Sequence, residues 1–411
     1  MIASIPKEVY SLEGKRAIIK ANATRYREST KKEKTLLLNE LCTILHWTRS
    51  YIARLLRGCG KVIYFKGVRF LGEWDSRSIH RRGRKKIYSE EIVPYLLKIW
   101  RVAGYISSKH LRVYISANSD KLFSHPELVS VSEEIKEKLL KISPATIDRL
   151  LKQHRWKLRA KGKYKSNPFS SNVKRAVPTE SYFDKRKETG DMEVDILYHS
   201  GESAKGEFFF TLTATEVTTD WTELRLLKNK AMVWTVEALK SIISDMPINV
   251  KSIHTDNGSE FLNHHMYRFC QEKGIKFRRS RPYRKNDAPY VESKNWSLVR
   301  RYTGWRRYDS EEEGEILRTL LYLLSLRHNI FTPTIKTKGK VKEGDKVRVQ
   351  KDINTPYNRV LELSEVSEET KEKLKAMRAN IDLFELSERI EMLEKRLDKA
   401  YQIKVRRYNN E

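Results

Sequence analysis

Three acidic residues carry the strongest chemical signal in this 411-residue sequence. Asp195 lies in an alternating stretch in which Asp191, Glu193 and Asp195 share one strand face and Met192, Val194 and Ile196 the other. Asp256 closely follows the short apolar strand Val250 to His254 and precedes the turn dipeptide Asn257-Gly258, so its carboxylate projects from a strand end. Glu292 stands near the start of a helical stretch, with 35 residues between it and Asp256. If the strands bearing Asp195 and Asp256 are neighbours, the two carboxylates meet at one sheet edge and the last helix brings Glu292 beside them. Carboxylates gathered at low dielectric repel one another and persist only around cations. Mg²⁺ meets that need with hard oxygen ligands while leaving coordination positions for water and phosphate oxygens. Two such ions about 3.5–4 Å apart activate an attacking oxygen and stabilise a leaving one, which is phosphodiester transfer.

The elements that must position these residues follow from pattern. Residues 191–196, Phe208 to Thr215 and Trp221 to Leu227 read as three consecutive strands. Helix Ala231 to Asp245, strand Val250 to His254, helix Ser259 to Lys273, strand Ile275 to Arg279 and a helix from 290 to about 306 follow. That order predicts a mixed sheet with helices on both faces. Upstream, Thr30 with Glu33 forms a capping box before Leu37, Leu41 and Leu45, and Thr48 starts a helix with Ile52, Leu55 and Leu56, a helix-turn-helix-like pattern. A second helical group runs from about 89 to 153, with Ser89, Ser130 and Ser143-Pro144 as helix starts and Gly104 as a breaker. Downstream, residues 340–349 read as a small hairpin, and 367–380 and 383–403 as helices. The seam Leu383, Leu386, Ile390, Leu393, Leu397 fits intramolecular packing and dimerisation equally.

Composition narrows the function. Lys and Arg total 82 against 53 Asp and Glu, a net charge of +29 that recruits polyanions, nucleic acid foremost. The surplus is +24 in residues 1–190, +1 in 191–300 and +4 beyond, so polyanion binding is assigned to the first half and chemistry to the neutral centre. No apolar run approaches the roughly 20 residues of a membrane helix, and Lys7 and Glu8 stand where an export signal needs apolar residues, so a cytoplasmic, nucleoid-associated location is expected. Cys42, Cys59 and Cys270 form neither a CxxC pair nor a disulfide framework.

The segment His254-Thr255-Asp256-Asn257-Gly258-Ser259-Glu260-Phe261, with Asp195 upstream and Glu292 downstream, resembles the catalytic core of the retroviral-integrase and DDE-transposase superfamily. Arg281 to Asp287 and Val291 to Trp296 resemble the core of bacterial insertion-sequence transposases in that group. The resemblance implies a ribonuclease-H-like fold, the triad Asp195, Asp256 and Glu292, two Mg²⁺ or Mn²⁺ ions per active site, cleavage at the element's terminal inverted repeats, and strand transfer into double-stranded target DNA. Trp296 and Val299 occupy positions where relatives often place a basic residue, and Lys294 and Arg300 are the nearby substitutes. The N-terminal zinc-binding module of retroviral integrases is absent, leaving end recognition to the helical modules.

The whole chain is therefore expected to be a multidomain transposase. It would comprise a helix-turn-helix module (1–62), a second helical module (63–156), a basic linker (157–189), an α/β ribonuclease-H-like core (190–330), a small β segment (331–362) and a helical tail (363–411). Arg278, Arg281, Arg284 and Lys285 are expected on phosphates beside the core, with Lys294 and Arg300, and Arg149, Lys152 and Arg155 on DNA upstream. Asn257, Gly258 and Glu260 are read as structural, and the adjacent His264 and His265 point apart on a helix, which disfavours a shared ion. Concerted insertion of two ends predicts a homodimer or larger assembly on DNA. The competing readings are a metal-dependent nuclease of the same fold that never joins strands, and a domesticated DNA-binding regulator, the latter disfavoured because all three carboxylates are present.

Overall fold

The protein is described by a computed structural model covering residues 10–65, 68–72, 87–88, 90–158, 188–203, 205–229, 232–256, 258, 260–280, 288–343 and 346–410. The chain divides into two compact units, residues 1–87 and 88–411.

The first unit holds α1 (Leu12–Glu28), α2 (Lys31–Leu45), α3 (Arg49–Gly58) and an antiparallel hairpin, β1 (Lys61–Phe65) with β2 (Val68–Gly72). Ser11 caps α1 by accepting from Gly14 N, and Thr30 with Glu33 forms the expected capping box on α2. His46, at φ 54°, ends α2 in the left-handed region and frees the chain to turn into α3. Leu37, Leu41 and Leu45 pack with Ile19, Ile52 and Leu56 in a core of this unit alone. The β1–β2 hairpin has no counterpart in the sequence reading.

The second unit opens with a 3₁₀ turn, Glu90–Ile92, and six short helices: α4 (Val93–Val102), α5 (Ser108–Ala117), α6 (Ser119–Ser124), α7 (Pro126–Val129), α8 (Glu133–Lys141) and α9 (Pro144–Leu151). Gly104, at φ 73°, breaks the chain after α4, and Ser143 accepts from Thr146 N with Pro144 in the first turn of α9, as expected. The cap of α8 is Ser132, not Ser130, and Ser89 lies outside the described residues. Leu96, Trp100, Leu111, Tyr114 and Ile147 share one continuous buried core with Val194, Leu212 and Leu320. The second helical group, whose helices pack on one another and share this core with the sheet, thus belongs to one unit with the sheet domain.

The central sheet contains β3 (Asp191–Tyr198), β4 (Phe210–Glu216), β5 (Thr222–Leu227), β6 (Ser252–Thr255) and β7 (Lys276–Arg279) in the order β5-β4-β3-β6-β7. The first three strands are antiparallel neighbours, whereas β6 and β7 run parallel to β3. The strands bearing Asp195 and Asp256 are therefore adjacent, as the sequence reading requires. Helices α10 (Met232–Asp245) and α11 (His264–Glu272) connect the parallel strands. Asn263, not Ser259, caps α11 by accepting from Met266 N, so that helix starts later than its pattern suggests. Helix α12 (Pro289–Lys294) passes into a π-helical stretch, Asn295–Arg300, and the short α13 (Arg301–Thr303).

The 21-residue α14 (Glu311–Phe331) is capped by Ser310 and Glu313 and buried along most of its length. It is followed by β8 (Thr334–Glu343) paired antiparallel with β9 (Lys346–Asn354), a longer hairpin than residues 340–349 imply, and by α15 (Pro356–Glu362), α16 (Glu368–Asn380) and α17 (Leu383–Asn410). Leu383, Leu386, Ile390, Leu393 and Leu397 are buried in the common core, with α17 lying along α14. The apolar seam is satisfied within the chain.

Candidate active site

Strand β3 serves the site with three acidic residues on one face, and each has a different task. Asp191 accepts from the Ser252 hydroxyl and from Glu188 N (3.0 Å), lies 3.8 Å from Arg278, and ties the start of β3 to β6. Glu193, fully buried, accepts from Tyr290 N (2.9 Å) and Val291 N (3.1 Å) through Oε2. These are N–H groups of the first turn of α12, which no intrahelical carbonyl can satisfy, so Glu193 acts as a carboxylate cap delivered from another element. Asp195 follows two residues later, where β3 outruns its pairing with β6.

The last paired residues there are Val194 and Thr255, and Asp256 is the next residue after β6. Asp195, still within β3, and Asp256, just past β6, thus follow the last residue pair of two adjacent parallel strands. Asp195 Oδ1 accepts from Ile196 N (2.9 Å), and Oδ2 accepts from Asn295 Nδ2 (2.6 Å). Asp256 Oδ1 accepts from Gly258 N (2.9 Å). Glu260 accepts from the Tyr198 hydroxyl (3.0 Å) and lies so close to Gly258 that a Cβ there would stand 2.7 Å from its carboxyl carbon and would displace that carboxylate. Glu292 is exposed on α12, which lies against β3 and β4.

The electrostatics follow this layout. Burial, then the charge of Asp256, raises the Asp195 carboxyl to about 7, with smaller contributions from Glu292 and Glu260 opposed by the Ile196 N–H. Asp256 is raised by burial and by Glu260, and Glu292 by burial. Asp195 and Asp256 are neighbours whose charges interact, and Glu292 is exposed. Among the described residues no three Asp, Glu, His or Cys side chains are gathered tightly enough to hold one ion. The donor chemistry nevertheless fits a hydrated divalent cation: hard oxygens, two neighbouring carboxylates, and a third open to solvent.

Of the basic residues expected on DNA, Arg149 and Lys152 are exposed, while Arg155 is paired with Asp148 at 2.5 Å. Arg278 is largely buried against Asp191. Arg281, Arg284 and Lys285 lie outside the described residues. Lys294 and Arg300 require correction. Lys294 is buried beside Asp220, and Arg300 is buried with its guanidinium donating to Tyr198 O (2.7 Å) and Gly304 O (3.1 Å) over the Trp305 ring. Each is buried on partners inside the chain, Lys294 on the Asp220 carboxylate and Arg300 on two backbone carbonyls, so neither is presented to a phosphate. His264 and His265 are exposed at the start of α11, and His254 is buried against the Ser280 hydroxyl. Sequence reasoning missed Glu193, Tyr198 and Asn295 as members of the site. Their signals were spacing alone, with Glu193 two residues before Asp195 and Asn295 three after Glu292.

Residues 186–285 match the family model of the integrase core domain, a span that includes Asp195 and Asp256 and stops short of Glu292. The chain is 30% identical over 338 residues to the uncharacterized protein y4rM of Sinorhizobium fredii (strain NBRC 101917 / NGR234), covering 82% of this chain and 92% of that protein. Among solved structures it is similar to the catalytic core domain of BIV integrase at 19% identity and a TM-score of 0.30, covering 43% of this chain and 95% of that one. The near full-length match places this chain and y4rM in one family, and the match over residues 186–285 gives the chain an integrase core domain of the DDE transposase and retroviral-integrase superfamily, a group of polynucleotidyl transferases.

Proposed function

We propose that the chain is a DNA transposase that cleaves element ends and joins the freed 3′-hydroxyl to target DNA, with Asp195, Asp256 and Glu292 as its catalytic carboxylates. The observation that carries this reading is the position of Asp195 and Asp256 just beyond the last paired residues, Val194 and Thr255, of two adjacent parallel strands, with the Glu292 helix packed against β3 and β4. A divalent cation, Mg²⁺ or Mn²⁺, when bound in two copies supplies Lewis-acid activation of the attacking oxygen and charge stabilisation of the leaving one. Asp195 and Asp256 offer the oxygens that would hold it, and Glu292, exposed on the neighbouring helix, would complete the set. Asn295 fixes the Asp195 carboxylate by its 2.6 Å hydrogen bond, and Glu193 fixes the helix on which Glu292 rides.

DNA binding falls to the basic N-terminal half. The three-helix unit and the exposed Arg149 and Lys152 are proposed to engage the terminal repeats, with the basic stretch 157–189 along the phosphate backbone and Arg278, Arg281, Arg284 and Lys285 beside the carboxylates. Two copies or more hold both ends, in the bacterial cytoplasm at the nucleoid. An assay with pre-cleaved terminal-repeat DNA and Mg²⁺ or Mn²⁺ decides the matter. Joined product supports the proposal, nicking without joining points to a nuclease of this fold, and DNA binding without either reaction points to a regulator.

A further inference from the structure

Asp220 occupies the turn between β4 and β5 at φ 66°, a left-handed conformation uncommon for a residue with a side chain. Its carboxylate is buried, and three cations converge on it: Lys336 of β8 at 2.6 Å, Lys294 of α12 at 3.8 Å and Arg359 of α15 at 3.8 Å. Arg359 is also held by Asp352 (3.1 Å) and donates to Thr334 O (2.9 Å) and Thr219 O (3.2 Å). Lys336 additionally donates to Val217 O and stands 4.1 Å from the centre of the Tyr290 ring. Tyr290 and Lys294 are the residues two before and two after Glu292. The cluster therefore grips the Glu292 helix on both sides of that residue, and its other members come from the β4–β5 turn, β8 and α15.

Such a cluster is a poor way to gain stability. Burial makes ionised lysine unfavourable, and a buried ion pair is often no better for folding than apolar side chains of the same volume. What it confers is a fixed direction, since each charge has one low-energy place to sit. We propose that Asp220 is a positioning residue for Glu292, holding its helix through Lys294 and through Lys336, and that the β8–β9 hairpin is thereby a working part of the active site. This rests on the reading of Glu292 as a catalytic carboxylate.

The test uses the full chain carrying Lys294→Met, Lys336→Met, Asp220→Asn or Asp220→Asn with Lys294→Met, and two measurements. Amide hydrogen exchange over residues 289–300 should quicken about tenfold in each single variant, and strand-transfer turnover with Mn²⁺ should fall about 10–100-fold at little-changed KM for the DNA end, the range found when the support of a metal ligand is removed. The double variant should recover thermal stability without recovering turnover. The proposal is overturned if exchange and turnover in Lys294→Met and Lys336→Met stay within about twofold of wild type, or if turnover simply follows Tm across the set. Should Asp220→Asn fail to fold, the two methionine variants decide. If the unmodified chain joins no DNA, the catalytic reading of Glu292 fails, while exchange still reports whether the helix is held as described.

Discussion

At the scale of single residues, the ionisation of Asp195 is strongly altered. Its folded value of about 7 lies above the ordinary 3.8, so the folded metal-free chain binds a proton that the unfolded chain has already released between those values. The stabilising contribution is complete below the lower value and is lost as pH rises through the upper one. Replacing Asp195 by Asn removes that titration. Thermal denaturation in chelator should show the variant gaining on wild type from about pH 4 to about pH 7 and levelling off above. A pH-independent gap would refute the account. Mg²⁺ at pH 8 should raise the Tm of wild type and leave that of Asp195→Asn nearly unchanged. A second expectation concerns Asp256→Asn, which keeps the hydrogen bond from Gly258 N but loses charge. Strand transfer should drop by more than the roughly 100-fold that loss of a ligand's supporting partner costs at most, while DNA retention in a gel-shift assay stays at the wild-type level. The pairing of Asp195 with Asp256 was legible because alternation, a turn dipeptide and a strand end are local signals. The partners of these residues were not, since Glu193 and Asn295 make their hydrogen bonds across 97 and 100 residues of chain. Lys294 and Arg300 misled for a related reason: a basic side chain reads as surface until the fold supplies its counter-charge or carbonyls.

At the scale of elements, the site depends on how α12 is started. Glu193→Ala leaves the Tyr290 and Val291 N–H groups buried without their acceptor, which should cost about 1–3 kcal/mol in chemical denaturation. Glu193→Gln, whose amide oxygen can accept the same two bonds, should recover much of that loss. Equal destabilisation by the two substitutions would count against the cap. The succession of strands and helices along the chain follows from period-two and helical patterns, and the structure agrees with it in β3 to β7, whereas the adjacency of β3 and β6 was only a condition of the reading and comes from the structure. Helix α14 escaped notice because Ile316, Leu317, Leu320, Leu321, Leu323 and Leu324 are all buried, so its sequence lacks the one-sided apolar stripe of a surface helix. Its burial between the sheet and α17 makes Leu320→Ala a cavity-forming change expected to cost about 2–5 kcal/mol by the same denaturation measurement, with m unchanged.

At the scale of the whole molecule, the division at residues 87 and 88 makes the N-terminal unit separable. A fragment spanning 88–411 should melt in one cooperative transition, because its helices, sheet and C-terminal elements share a core. Its DNA affinity should fall less steeply with salt than that of the full chain, by about 0.9 in the slope of log K against log salt for each phosphate that the missing unit would have neutralised. A scattered, multi-step melt would show that the N-terminal unit is needed for folding. Helix α17 has a consequence for synthesis. Arg101 of α4 donates to Glu391 (2.7 and 2.6 Å), Arg306 meets Asp398 at 2.5 Å, and Lys404 bonds Asp309 (2.8 Å) and Glu313 (2.7 Å). Elements made early are thus stapled by the segment that leaves the ribosome after them. A growing chain stopped short of residue 383 leaves the flank of α14 bare and greasy, so abortive products should be cleared by proteases or aggregate, and should not accumulate as half-working enzymes.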